Sequence, residues 1–304
     1  MEEIVIFKNF YEQRLYGIIH IPEPSIQEYK TGVIIINPGL KDRVGPHRLY
    51  VKIARKLCDN GYYILRFDPH GIGESDGEMN QGYSVNNFLL IQKGEFKDDT
   101  MAAIEVMIKE YSMERVILMG LCGGAITALF AASEDKRVDS IVLMDVPVVF
   151  DKAVNIEKLH PADAQTLVAS YLKKLFNFKK ILRVLTFKSN FTEIFRALST
   201  LSISKFREID CFKDKSTQAD NINPIFLKSF LSFVDSKRRI LFLIAGNEKS
   251  AWEFGAKFWR KYNKKPKYKE LCKLFVVKTA NHEFASLDAQ NALIDKIYSW
   301  LNEH

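Results

Sequence analysis

Apolar residues fall in short unbroken runs along the first half of the chain: TGVIIINP at 31–38, YYILRFD at 62–68, RVILMG at 115–120 and SIVLMDVP at 140–147. Each is strand-length, rich in β-branched residues and apolar on both sides, the pattern of parallel strands covered on both faces. Between them the apolar spacing changes to a helical period at 48–60, 95–111 and 124–134. From 150 to 236 no strand-like run occurs, and Phe, Leu, Lys and Ser recur at helical spacing. The alternation resumes with RRILFLIAG at 238–246, a helix at 251–262, KLFVVKTA at 273–280 and a terminal helix from about 286. Residues 3–8 and 14–22 are expected as leading antiparallel strands. This rhythm predicts an α/β protein whose mainly parallel central sheet is flanked by helices and interrupted by one helical insertion. The expected divisions are a first core part at 1–149, a helical lid at 150–236 and a second core part at 237–304.

Composition adds little to that picture until charge is mapped. The 304 residues are 47% hydrophobic and 27% charged, enough to bury a large core. No run reaches membrane-spanning length, and the opening MEEIVIF is acidic where a signal peptide would be basic. Cys58, Cys122, Cys211 and Cys272 show no C-x-x-C spacing, which argues against a zinc centre and a disulfide framework and for a cytoplasmic location. The net charge of +7 is concentrated in the insertion, where Lys173, Lys174, Lys179, Lys180, Arg183, Lys188 and Arg196 face Glu193 alone. A second cluster surrounds KYNKKPKYK at 261–269. Such clusters are ordinarily solvated faces; peripheral contact of the basic lid with a membrane surface or an anionic partner is the alternative. No nucleic-acid partner is expected. RFDPHGIGESDG at 66–77 does not fit G-x-G-x-x-G and has no Walker lysine, so neither a nucleotide nor any other cofactor or metal is expected.

One stretch carries chemistry. VILMGLCGGA at 116–125 runs from a predicted strand into a predicted helix through Gly120-Leu121-Cys122-Gly123-Gly124. Its frame, G-x-C-x-G, is that of a nucleophile elbow with sulfur in place of oxygen; the sharp turn needs small residues two positions to either side of the nucleophile. A thiol requires a base, since free cysteine titrates near 8.5. His282, in TANHEFAS after the last predicted strand, is the expected base. An acid is needed to orient its ring. Glu248, just after the strand 238–246, is the first choice, with Glu253 and Asp145 also near strand ends. Backbone amides of Gly123, which follows the thiol, and Leu40, in NPGLKDRVGPHR, are the expected oxyanion donors. Arg43, His47 and Arg48 on that same loop are candidates to bind an anionic part of a substrate.

Together these segments resemble the α/β-hydrolases: the elbow, the D-x-x-G-x-G-x-S turn in RFDPHGIGES, a late acid and a late histidine occupy the chain order of that superfamily. In finer detail NPGLKDRVGPHR, LRFDPHGIGESDGE, GLCGGA and GNEKSAWEF resemble the exosortase A system-associated hydrolases, and G-x-C-x-G-G is similar to the elbow of polyhydroxyalkanoate synthases. The resemblance implies an α/β-hydrolase fold and a Cys122-His282-acid hydrolase or acyltransferase acting on a small-molecule ester or thioester. An enzyme of that kind would pass through an acyl-cysteine. A non-catalytic binding protein of the same fold is the competing expectation, since fold alone does not fix function.

Overall fold

The computed structural model describes residues 1–25, 29–79, 84–150, 221–246 and 248–303. Its strands are β1 (Glu2–Lys8), β2 (Arg14–His20), β3 (Thr31–Ile36), β4 (Ile64–Phe67), β5 (Arg115–Leu121), β6 (Val138–Met144), β7 (Arg239–Ala245) and β8 (Cys272–Val277). They form one sheet in the order β1-β2-β4-β3-β5-β6-β7-β8. β2 runs antiparallel to β1 and β4, and every pairing from β4 to β8 is parallel. The mainly parallel sheet expected from the apolar runs is therefore present. It places the ends of β3, β5, β6, β7 and β8 along one edge, where ligands bind in open α/β sheets.

Alternate side chains of the central strands feed two separate cores. Ile34, Ile36, Leu118, Ile141, Leu143 and Phe242 face one side, under helices α3 (Lys97–Lys109), α4 (Gly123–Glu134) and α5 (Pro224–Asp235). Val33, Ile35, Ile117, Met119, Val142 and Leu241 face the other, under α1 (Leu49–Cys58) and the terminal α8 (Leu287–Leu301). Full burial of each such side chain contributes about 1.5–3 kcal/mol, so both faces are strongly held and the register of β5, which leads into Cys122, is fixed.

Three local features differ from the sequence expectation. Helices α2 (Ser84–Lys93) and α7 (Pro266–Leu271) were absent from it. The helix expected at 251–262 begins earlier and is not uniform: α6 comprises Lys249–Glu253, a π-helical stretch Phe254–Trp259 and a last turn Arg260–Tyr262. The insertion boundary at 237 falls too late, because the compact unit formed by residues 1–151 resumes at 220. α5 explains why. Asn223 caps it by accepting from the N–H groups of Ile225 and Phe226, Pro224 occupies its first turn, and Phe226, Phe230, Phe233 and Val234 are buried. The Phe230 ring packs against Phe242, Phe258, Tyr262 and Tyr268, making α5 a wall of the core. Most of the expected lid, residues 151–220 with the basic cluster and Cys211, lies outside the described residues.

Candidate active site

β5 ends at Leu121 and α4 begins at Gly123, leaving Cys122 alone at the turn with φ 55° and ψ −114°. A non-glycine residue rarely adopts a positive φ, and the strain persists only where the surroundings impose it. Here they do. A Cβ at Gly120 would overlap the backbone of Gly124, and a Cβ at Gly124 would overlap the carbonyl oxygens of Ile36 and Asn37. Absence of side chains at those two positions lets α4 press against the end of β3 and throw Cys122 outward. The turn is also held by hydrogen bonds: Cys122 N–H donates to Met144 O at 2.9 Å, and Leu121 N–H donates to the buried Tyr50 hydroxyl at 2.8 Å. Burial pushes the Tyr50 phenol above its ordinary range, so it stays neutral.

The ring of His282 stands on the loop between β8 and α8. Its Nδ1 is hydrogen-bonded to Oδ2 of Asp145, which leaves Nε2 as the ring nitrogen free to serve the Cys122 thiol, a group the ring also interacts with. Asp145 follows the last residue of β6, is fully buried and has φ 42°. Its carboxylate is oriented by Ala245 N–H, at 3.2 Å from Oδ1, and by the Ser250 hydroxyl, at 3.0 Å from Oδ2. Thus the end of β5, the end of β6 and the loop after β8 bring a thiol, a carboxylate and an imidazole together.

The acid at the ring is therefore Asp145, and the expectation of Glu248 is corrected. Glu248 instead accepts the backbone N–H of His282 at 2.9 Å through Oε1, which fixes the loop and not the tautomer. The cause is topological: β6 lies beside β5, so a residue at its end stands nearer the elbow than one beyond β7. Glu253, the other alternative, lies farther along α6. Sequence analysis also missed Ser250 and Tyr50. A signal for Asp145 existed in SIVLMDVP, since a carboxylate closing a wholly apolar strand is buried and needs a partner.

His282 is pushed up to about 10, first by its hydrogen bond to Asp145 and then by its interaction with Cys122, against the opposing effect of burial. An unfolded histidine titrates near 6.5, below the folded value. The pair's contribution to stability is therefore fully present below about 6.5 and is lost as pH rises through about 10. The difference in urea midpoint between wild type and His282→Gln should be largest below pH 6.5 and narrow as pH passes 10; a gap that widens with pH would contradict this ion pair.

On the oxyanion side, Gly123 lies against the loop after β3. A Cβ at 123 would come within 3.0 Å of Gly39 Cα and 3.3 Å of Gly39 N. The buried Asn37 side chain braces this loop by donating to Gly39 O and, at 3.0 Å, to Lys41 O. Leu40 is half-exposed at its tip, beside a cavity of about 470 Å³ between residues 40–42 and 71–73. Lys41 pairs with Glu283, next to the histidine, and joins the two loops across the site.

Of the three cationic candidates, Arg43 is already paired. Its guanidinium is bound by the buried Asp68 and by Glu74, and its backbone N–H donates to Asp68 Oδ1 at 2.6 Å, so its charge is balanced by carboxylates that follow β4. His47 Nε2 lies 3.5 Å from Glu283 Oε2, and Arg48 is exposed at φ 60° before α1.

Comparison with known proteins agrees with this architecture. A family profile described as alpha/beta hydrolase fold matches residues 32–180. Protein PA2218 of Pseudomonas aeruginosa is 27% identical over 158 residues, half of this chain and 39% of its own length. A polyketide transferase, GrgF, of a Penicillium species is 31% identical over 133 residues, 42% of this chain and 40% of its own. Both matches thus span about two-fifths of the relatives. The Pyrococcus furiosus esterase Pf2001 superposes with a TM-score of 0.60, covering 99% of this chain and 90% of that one at 15% identity, a likeness of fold. No helix among the described residues is long and apolar enough to cross a membrane.

Proposed function

We infer that this chain, which has the alpha/beta-hydrolase fold, is a cysteine-nucleophile enzyme that takes an acyl group from an ester or thioester and passes it to water or an acceptor alcohol. One observation carries the reading: a thiol in a strained elbow shares His282 with a fully buried carboxylate. In the proposed reaction Cys122 Sγ, as thiolate, attacks the acyl carbon, and the bond to the leaving sulfur or oxygen breaks. His282 Nε2–H supplies a proton to that leaving group. The acceptor hydroxyl then gives its proton to the neutral imidazole and attacks the acyl-cysteine, which releases the thiolate. Asp145 keeps the proton on Nδ1 throughout. Gly123 and Leu40 amides are the proposed donors to the tetrahedral oxyanion.

Thiolate both attacks thioesters readily and leaves readily, so acyl transfer suits sulfur better than amide hydrolysis. The name of the Penicillium relative, a polyketide transferase, supports transfer of an acyl chain, while the Pyrococcus esterase supports an ester donor. Membership of the exosortase A-associated group and a cytoplasmic site of action are parts of the same proposal. His47 and Arg48 remain its candidates for an anionic part of the substrate, while Arg43 is already held by Asp68 and Glu74.

The test is intact-protein mass spectrometry after exposure to a panel of p-nitrophenyl esters and acyl thioesters, with a mass increase of one acyl group on Cys122 expected. Iodoacetamide supplies an independent reading. Cys58 and Cys272 are buried, and burial raises both thiols, Cys272 to about 12. Cys122 is partly exposed beside a cationic imidazole, so it should be alkylated first, and His282→Ala should slow it. Equal rates in the two proteins would mean that no working base serves the thiol. If no donor ever acylates the wild type, the binding-protein reading takes its place.

A further inference from the structure

Among the described residues β1 ends the strand order, with β2 on one side only. Its pairing with β2 engages the odd-numbered residues: Met1 and Ile21 exchange backbone bonds of 2.8 and 2.9 Å, and Asn9 N–H reaches Gln13 O at 3.0 Å. In an antiparallel ladder the intervening residues turn their N–H and C=O groups the other way. Here those are Glu2, Ile4, Ile6 and Lys8, whose groups point off the sheet. Their side chains are exposed too, Ile4 at 78% and Ile6 at 53%. Native edge strands are ordinarily blunted by a proline, a bulge or a central charge. β1 has none of these; its register with β2 is unbroken and its charges, Glu2, Glu3 and Lys8, stand at the ends.

The sequence of this edge is complementary to itself. Reversed about Val5, EEIVIFK sets Glu2 opposite Lys8 and Ile4 opposite Ile6 of a second copy. Every outward-facing residue then meets another outward-facing one, so the backbone groups of all four can be paired, with charges opposed and isoleucines in contact. A one-residue slip would face outward groups with inward ones. We propose that two copies of this chain associate through β1, antiparallel and about a two-fold axis at Val5, joining their sheets into one. Two-fold pairing of one patch with itself closes the β1 edge of both copies, so the association stops at two. Existing ion pairs are compatible with it. Arg55 holds Glu2 at 2.7 Å and Glu12 holds Lys8 at 2.6 Å, both exposed, so the contact lines up Arg55, Glu2, Lys8 and Glu12 with alternating sign.

The experiment is light scattering of the full chain after size-exclusion chromatography over a concentration series. Wild type is expected at twice the chain mass, and Ile6→Lys at the mass of one chain with its rate of Cys122 alkylation unchanged. As a check independent of stability, Ile4→Cys and Ile6→Cys chains, each carrying Cys122→Ala, are mixed and oxidised. Position 4 facing position 6 should give a cross-link in the mixture faster than in either variant alone. A wild type of single-chain mass at every concentration overturns the proposal. So do a dimer that survives Ile6→Lys, open-ended aggregates in place of a dimer, or cross-linking with no preference for the mixture.

Discussion

Cys122→Ala is expected to abolish covalent acyl capture and to lower turnover by about 10⁶-fold, the scale on which deletion of a triad nucleophile acts. No other described group can take over the bond. Cys58 and Cys272 are buried away from His282, and the imidazole itself is held cationic by Asp145, which removes the lone pair it would need. The variant should fold as wild type does. Alanine keeps the Cβ that the turn already accommodates at φ 55°, and the hydrogen bonds that fix the turn, from Cys122 N to Met144 O and from Leu121 N to Tyr50, are made by the backbone. Unchanged unfolding together with lost capture separates chemistry from packing. Mass spectrometry with the best donor reads the first and urea denaturation the second. An acyl adduct that persists in Cys122→Ala would assign the chemistry to another nucleophile.

The elbow was legible because its requirements are local. Strand, small residue, nucleophile, small residue and helix follow one another within GLCGG, and the overlaps at Gly120 and Gly124 are backbone contacts that any residue with a side chain would violate. The position of His282 was legible for a related reason, since it stands on the short loop directly after the last strand-like run. The acid required knowledge of which strand ends lie side by side, and linear order does not carry it. β6 adjoins β5 while β7 is one strand further, so the nearer carboxylate came from the earlier strand. The pairing of Arg43 was hidden for the same kind of reason: its partners Asp68 and Glu74 lie beyond helix α1 and strand β4 in sequence. α5 was assigned to the insertion because its helical spacing resembles that of its neighbours, whereas its phenylalanines pack on aromatic residues of β7, α6 and α7 that only the fold assembles.

Two carboxylates next to one histidine give the last expectation: Asp145→Asn should cost turnover about 10²- to 10⁴-fold, while Glu248→Gln should cost less than about tenfold. Asparagine fills the same buried space, but it removes the charge that stabilises the imidazolium and can turn an N–H toward Nδ1, favouring the wrong tautomer. The bonds from Ala245 N–H and Ser250 hold Asp145 in one orientation, so little rearrangement is open to the variant. Glutamine at 248, by contrast, still offers a carbonyl oxygen to the His282 N–H, and the loop keeps its brace. Proton titration separates the two effects. The Asp145 hydrogen bond is the largest cause raising His282, so in Asp145→Asn the ring should titrate well below the value near 10, and in Glu248→Gln it should stay close to it. Nuclear magnetic resonance of the His282 ring across pH, run beside kcat for each variant, reads both. Should Glu248→Gln lower kcat as far as Asp145→Asn and shift the histidine equally, the acid of this site would be shared between the ends of β6 and β7.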